Sequence, residues 1–207
     1  MNYKYKAHPW HGISFGENAP EEVTVFLEVV PRDTVKYEIE KESGFLQIDR
    51  PQQYSNVYPA NYGFIPQTFC GERIANIARE KSNKQIDSGD GDPLDILVLS
   101  EHHIPRGDIL LKAKPIGGFC LIDGGEADDK IIATLTGDKV YKQYQEILQL
   151  PKGILERIEH YFLTYKNLPN ETQKCEIAYS YGREQSYEVI KTSMADYEEL
   201  IQTGKFS

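Results

Sequence analysis

The amino-acid sequence predicts an α+β fold, a small closed antiparallel β-barrel (OB-like) with helices packed outside it. Two observations carry the prediction. In the first half of the 207 residues apolar and polar side chains alternate with a period of two, and further strands follow, punctuated by Gly and Pro. In the last third the spacing changes to that of amphipathic helices. Strands first and helices later is the order of an α+β domain, and many short antiparallel strands remove their open edges by closing.

Residues 1–21 are expected as an N-terminal tail laid on a single domain spanning 1–207, with Trp10 as its anchor. In Val23–Val30, Val23, Val25, Leu27 and Val29 share one face, and Thr24, Phe26 and Glu28 the other. In Val35–Lys41, Val35, Tyr37 and Ile39 oppose Lys36, Glu38 and Glu40. Both read as half-buried strands. Glu42-Ser43-Gly44 turns the chain into a third strand, Phe45–Arg50. Leu94–Leu99, Ile109–Lys114, Gly118–Ile122 and Ile131–Leu135 continue the series. Pro151 suits a first helical turn, after which Ile154, Ile158, Tyr161 and Tyr165 fall on one face. A last helix has Ile190, Met194, Tyr197 and Ile201 on one stripe and Gly204 just beyond as its cap. Residues 167–207 are expected to hold the C-terminal strand and helix.

The formal net charge is −9. That balance argues against non-specific nucleic-acid or anionic-membrane binding, and it repels an anionic substrate unless cations intervene. Cys70, Cys120 and Cys175 are far apart and form no CxxC pair, so they read as reduced thiols of a cytoplasmic protein. The N-terminus has no apolar signal-peptide core, and no apolar run is long enough to span a bilayer.

The chemistry concentrates in Ser88–Ser100, "SGDGDPLDILVLS", where Asp90, Asp92 and Asp95 run into an apolar strand. Carboxylates this close raise each other's pKa, and a hard divalent cation with oxygen ligands removes the conflict. Gly91 permits a sharp turn and Pro93 stiffens its exit. An EF-hand is excluded, because Leu94 stands at its fifth position and Asp95 where its glycine belongs. A second cluster, "LIDGGEADDKII", gathers Asp123, Glu126, Asp128 and Asp129 before Lys130. Cations stand among these anions: Lys36 shares a strand face with Glu38, Arg50 ends a strand, and Tyr165-Lys166 ends a helix. Taken singly, the acids also read as solvated turns, the lysines as surface residues and Tyr165 as core. No GxxxxGK[ST], GxGxxG or GxSxG motif occurs. His8, His11, His102 and His103 read as tail or surface residues, and His160 lies on the polar side of its helix.

Together these segments resemble the soluble family I inorganic pyrophosphatases, from about Val23 to Lys166. "DGDPLDILV" matches the family's Asp-x-Asp-Pro-apolar-Asp signature, accompanied in order by "VKYEIEKESG", "DRPQQYSNVYPANYGFIPQT", "DGGEADDKIIA" and "HYFLTYKNL". The resemblance implies hydrolysis of pyrophosphate to two phosphates by a metal-activated water. It makes Asp90, Asp95 and Asp128 ligands of an activating metal pair, and Asp123 and Glu38 ligands for metals that arrive with substrate. It makes Asp92 the general base, Lys36, Arg50, Tyr62, Lys130, Tyr165 and Lys166 the phosphate-binding groups, and Glu28 and Tyr58 supporting residues. Mg²⁺ is the implied cofactor, with Mn²⁺ or Zn²⁺ as substitutes and Ca²⁺ as inhibitor. A cytoplasmic homo-oligomer with pyrophosphate as its small-molecule partner, and neither nucleic acid nor membrane, completes the expectation.

Two departures stand out. Gly124 occupies a position where many bacterial members carry a second acid, and the link from Tyr62 to Asp90 is longer than in compact members. The stretch after Asn167 matches weakly. Rival readings are a Mg²⁺-dependent phosphohydrolase acting on nucleotides or polyphosphate, and a non-catalytic Ca²⁺- or phosphate-binding module.

Overall fold

Ten strands form among the described residues, which in this computed structural model are 6–53, 55–166 and 175–204, and Val, Ile and Leu dominate Val23–Val29, Asp95–Leu99 and Lys130–Leu135. In chain order they are β1 (Val23–Val29), β2 (Val35–Ile39), β3 (Leu46–Pro51), β4 (Asn61–Phe64), β5 (Ser88–Gly89), β6 (Asp95–Leu99), β7 (Ile109–Asp123), β8 (Glu126–Ala127), β9 (Lys130–Leu135) and β10 (Cys175–Gly182). The helices are α1 (Glu72–Ser82), α2 (Lys152–Thr164) and α3 (Arg183–Thr203). β1 pairs with β4, β4 with β6, β6 with β9, β9 with β7, and β7 returns to β1, so five strands close into a barrel. β2 and β3 form a separate hairpin.

The closed ring with outer helices is the architecture expected, but it is not purely antiparallel. β6 runs parallel to β9, and β5 parallel to β8. Parallel neighbours need a long connection, and the whole of β7 lies between β6 and β9. The separate strands expected at Ile109–Lys114 and Gly118–Ile122 are one, β7. Its first part pairs with β1 and its second with β10, and its register against β9 shifts between Pro115 and Gly117. Pro and Gly here bend a strand that changes partners; they do not end it.

Strand β1 is buried on both faces, not half-buried. Val23 and Val25 join one apolar cluster, and Phe26 joins another with Trp10, Ile39 and Phe64. In β6, Ile96 and Val98 pack with residues of α1 and α3, while Leu97 and Leu99 pack with residues of α2. That two-sided burial makes "DILVL" a continuous apolar run.

Helix α1 and strand β4 are additions to the sequence reading. α1 buries Ile74, Ala75 and Ala78, but its own N-cap, Gly71, offers no side chain. The carboxylate of Asp196 on α3 caps it instead, accepting from Gly71 N at 3.1 Å, Ile74 N at 3.2 Å and Arg73 Nη1 at 2.9 Å. The α2 stripe is as expected, with Ile158, Tyr161 and Tyr165 buried. On α3, Leu200 is buried and Ile201 exposed, so the apolar stripe ends one residue earlier than expected, while Gly204 caps the helix in the left-handed region.

The segment before β1 braces the barrel. Trp10 is 2% exposed and donates its indole N–H to Thr68 O at 2.8 Å. His11 Nδ1 lies 2.9 Å from the Tyr197 hydroxyl. Burial pushes the His11 imidazole down to about 4, and His8 beside it pushes the same way. The unfolded chain therefore takes up this proton at higher pH than the folded one. The brace should hold fully above pH 6.5, the ordinary value of a histidine, and loosen as pH falls toward about 4. Thermal melts across that window should show His11→Phe losing less Tm on acidification than the parent; equal slopes would remove His11 as the cause.

Candidate active site

The acidic turn between β5 and β6 is held by its backbone. Asp90 N donates to Ala127 O at 3.2 Å, Gly91 N to Cys70 O at 3.1 Å, and Cys70 N to Asp92 O at 2.8 Å. Asp92 N donates to Asp90 Oδ1 at 3.0 Å, and Gly91 has φ +73°, a tight left-handed corner that suits glycine. Thr68 Oγ1 accepts from Leu94 N at 2.9 Å where the turn enters β6.

The second acid cluster is the β7–β8 hairpin. Asp123 stands opposite Glu126, and Gly124 and Gly125 between them have φ +61° and +100°. A two-residue turn with both φ positive favours Gly, Asn or Asp at its first position, so the turn accepts Gly124 but does not by itself exclude an acid there. Lys130 begins β9 in register with Asp95 of β6 and Phe119 of β7. Its ammonium bonds both Asp95 and Asp128, and the side chain is 3% exposed.

The β2–β3 hairpin brings the other cations. Lys36 lies opposite Arg50. Lys36 Nζ is 2.8 Å from Glu38 and 3.0 Å from Asp49, and Arg50 also bonds Asp49. Arg50 Cζ is 5.9 Å and Lys166 Nζ 5.3 Å from the Tyr165 ring centre, and Lys166 bonds Asp123. The Tyr62 hydroxyl donates to Asp95.

These groups line a cavity of about 210 Å³: Lys36, Arg50, Tyr58, Tyr62, Asp90, Asp92, Asp95, Asp123, Asp128, Lys130, Tyr165 and Lys166, with Glu126 and Phe162. An adjoining cavity of about 340 Å³ shares Lys36, Tyr62, Asp92 and Asp95 and adds Glu28 and Glu38. Every residue to which the resemblance gave a role therefore lines one cavity or the other, whereas Asp129 of the second acid cluster lines neither. Lys41, 2.6 Å from Asp92, and Asp49 were missed. Both lie inside quoted segments, but only their contacts in the fold, Lys41 with Asp92 and Asp49 with Lys36 and Arg50, put them at the site.

The electrostatics follow from crowding. Burial, then the charge of Asp128, holds Asp90 well above the usual carboxylate range. Burial also raises Asp95, although Lys130 opposes it. Burial would raise Asp128 too, but Lys130, the hydrogen bond with Asp90 and the charge of Lys166 together outweigh it, and the carboxyl ends below its ordinary value. Burial, then the charge of Asp95, raises Glu28, which accepts from Ile39 N at 2.9 Å. Burial alone would lower Lys130, yet Asp128 and Asp95 hold it well above a normal lysine.

Among the described residues, no three His, Cys, Asp or Glu side chains are drawn closely enough together to hold a metal ion as they stand. Lysines bond the acids instead. The acidic donor set is nonetheless all oxygen, and carboxyls raised by burial and by mutual repulsion are what a hard divalent cation relieves. The residues fit such an ion.

A barrel mouth crowded with carboxylates and flanked by Lys, Arg and Tyr has the chemistry of a cation and phosphate site. The comparisons with known proteins agree. The inorganic pyrophosphatase family model matches residues 25–198. The chain is 44% identical over 196 residues to a protein named inorganic pyrophosphatase from Chlamydia trachomatis serovar L2, covering 92% of this chain and 94% of that one. It superposes on the crystal structure of inorganic pyrophosphatase from Thermus thermophilus with TM-score 0.78 and 28% identity, covering 93% of this chain and 99% of that one. Against type I inorganic pyrophosphatase from Toxoplasma gondii the TM-score is 0.80 at 25% identity, covering 94% and 89%. The chain belongs to the inorganic pyrophosphatase family, whose members use divalent metal ions.

Lys130→Met should destabilise the chelator-treated protein by about 3–5 kcal/mol, the usual cost of stranding a buried partner. Adding Asp128→Asn should restore part of that loss in urea titrations. A single variant as stable as the parent would show that the acids do not need the lysine.

Proposed function

We propose that this cavity hydrolyses inorganic pyrophosphate to two phosphates with Asp92 as general base and Mg²⁺ as cofactor. Family membership gives the reaction; the gathering of acids and cations into one cavity supports the assignment of roles. Asp90, Asp95 and Asp128 would hold the activating metals, and Asp123 and Glu38 those entering with substrate. When bound, Mg²⁺ supplies positive charge for the substrate and lowers the pKa of water.

The chain's own groups do the rest. Asp92, half exposed at the cavity edge, takes the proton of the attacking water. Arg50 grips phosphate oxygens in a bidentate fork, and Lys36 stands across the hairpin from it. Lys130, Lys166, Tyr62 and Tyr165 hold the two phosphoryl groups and stabilise charge on the departing one. Tyr58 and Glu28 support the walls. The lysines now paired with Asp123 and Glu38 exchange those carboxylates for phosphate oxygens as substrate enters.

The proposal includes a cytoplasmic homo-oligomer that binds neither nucleic acid nor membrane. The free, buried cysteines support a reducing compartment, and no described helix is long and apolar enough to cross a membrane. Light scattering would read the assembly.

The purified protein should release phosphate from pyrophosphate in Mg²⁺, with far less from ATP or tripolyphosphate and none with a chelator. Asp92→Asn should keep the melting curve and lose about 10²–10⁴-fold in kcat, the range for a lost general base; normal turnover would remove Asp92 from that role. Ca²⁺ should bind yet support little hydrolysis, because its larger, looser coordination misplaces water. Full activity in Ca²⁺ alone would contradict the mechanism.

A further inference from the structure

Between Asp128 and Lys130, which face the cavity, stands a buried acid that the reaction does not use. Asp129 is 4% exposed and does not line the cavity. Asp128 and Lys130 line the cavity while the Asp129 side chain bonds outside it, so Asp129 faces away from the site. Its Oδ1 accepts the hydroxyl hydrogen of Tyr181 at 2.7 Å. Tyr181, 5% exposed, comes from β10, which pairs with the far edge of β7.

The tyrosine reaches Asp129 across β7. It stands opposite Gly118, and a Cβ placed on Gly118 would lie 2.6 Å from Tyr181 Cε2 and 2.7 Å from Lys130 O. The bare glycine lets the ring lie against the backbone and deliver its hydroxyl behind β9. A carboxylate buried in this way costs stability unless it is paired, and one donor from a rigid ring fixes its direction.

We propose that Asp129 and Tyr181 are positioning residues, whose buried hydrogen bond sets from behind the orientation of Asp128 and Lys130 at the cavity. The proposal rests on the reading of Asp128 as a metal ligand and Lys130 as a phosphate group. It adds a contact outside the cavity, between β9 and the C-terminal strand, on which metal affinity depends.

The test separates positioning from stability. Tyr181→Phe keeps the ring over Gly118 but strands the carboxylate. It should lower Tm and weaken Mg²⁺ binding, measured by calorimetry on the metal alone, by about tenfold, at the low end for an outer-shell partner. The Mg²⁺ concentration for half-maximal pyrophosphate hydrolysis should rise as much, while kcat at saturating Mg²⁺ changes about twofold or less. In Tyr181→Phe/Asp129→Leu both polar partners are gone, so Tm should recover. Mg²⁺ binding should stay weak, because nothing aims the segment. Recovery of Mg²⁺ affinity together with Tm would reduce the pair to a satisfied buried acid and overturn the proposal. So would unchanged Mg²⁺ affinity in Tyr181→Phe. A parent protein that neither binds Mg²⁺ nor releases phosphate would instead overturn the assignment of the site itself, and the inference with it.

Discussion

A lysine ammonium buried between two carboxylates is the constraint around which this molecule is arranged. Lys130 is 2% exposed and bonded to Asp95 and Asp128. Removing any one of three such charges strands the others where water cannot compensate. The triad is also topological. Asp95 opens β6 and Lys130 opens β9, and they are register partners in the parallel pair that belongs to the closed ring. The contact that gathers the charges is thus part of the contact that closes the barrel. Asp123, at the end of β7, and Asp90, in the turn entering β6, reach the same mouth for the same reason.

The charges do not balance. Four cations and six carboxylates line the smaller cavity, in a protein of net charge −9. Left alone, such a mouth repels a polyanion, yet it holds Arg50, Lys36 and Lys166 in places that suit phosphate. The conflict is resolved only if divalent cations take the acids and free the lysines. Under the proposed roles, the ion pairs Lys36–Glu38 and Lys166–Asp123 hold each lysine over the cavity until substrate and its cations would separate them. Aromatic faces help: Tyr165 lies beneath both Arg50 and Lys166 and keeps long side chains from lying against the surface.

What the sequence revealed and what it hid divide along the same physical line. Contacts set by local pattern were legible: period-two strands, the α2 stripe, the glycine cap of α3, and the acid turn with its signature spacing. Contacts set by distant segments were not. Helix α1 borrows its N-cap from Asp196, more than a hundred residues away, so no capping signal precedes Glu72. Strand β7 continues through Pro115 and Gly117 because its partners change there, and local punctuation reads as a break. The parallel pair β6–β9 was hidden because alternation reports faces, not neighbours. Gly124 reads as a missing acid from its type alone and as a turn residue once its φ is known.

The segment Asp128-Asp129-Lys130 shows the limit most sharply. Its outer residues line the cavity, while the middle one bonds outside it. The sequence alone groups Asp129 with the other acids, where it would add to the repulsion a cation must relieve. Its actual surroundings are Tyr181 on the rear of β7, brought there by a strand that begins more than forty residues later. Two carboxylates adjacent in the chain thus meet opposite environments: one faces a lysine and a polar cavity, the other a phenol and the core. Carboxylate count is therefore a poor measure of metal capacity. The usable ligands are those whose side of the strand opens on the barrel mouth, and an acid on the other side matters through the backbone it holds in place.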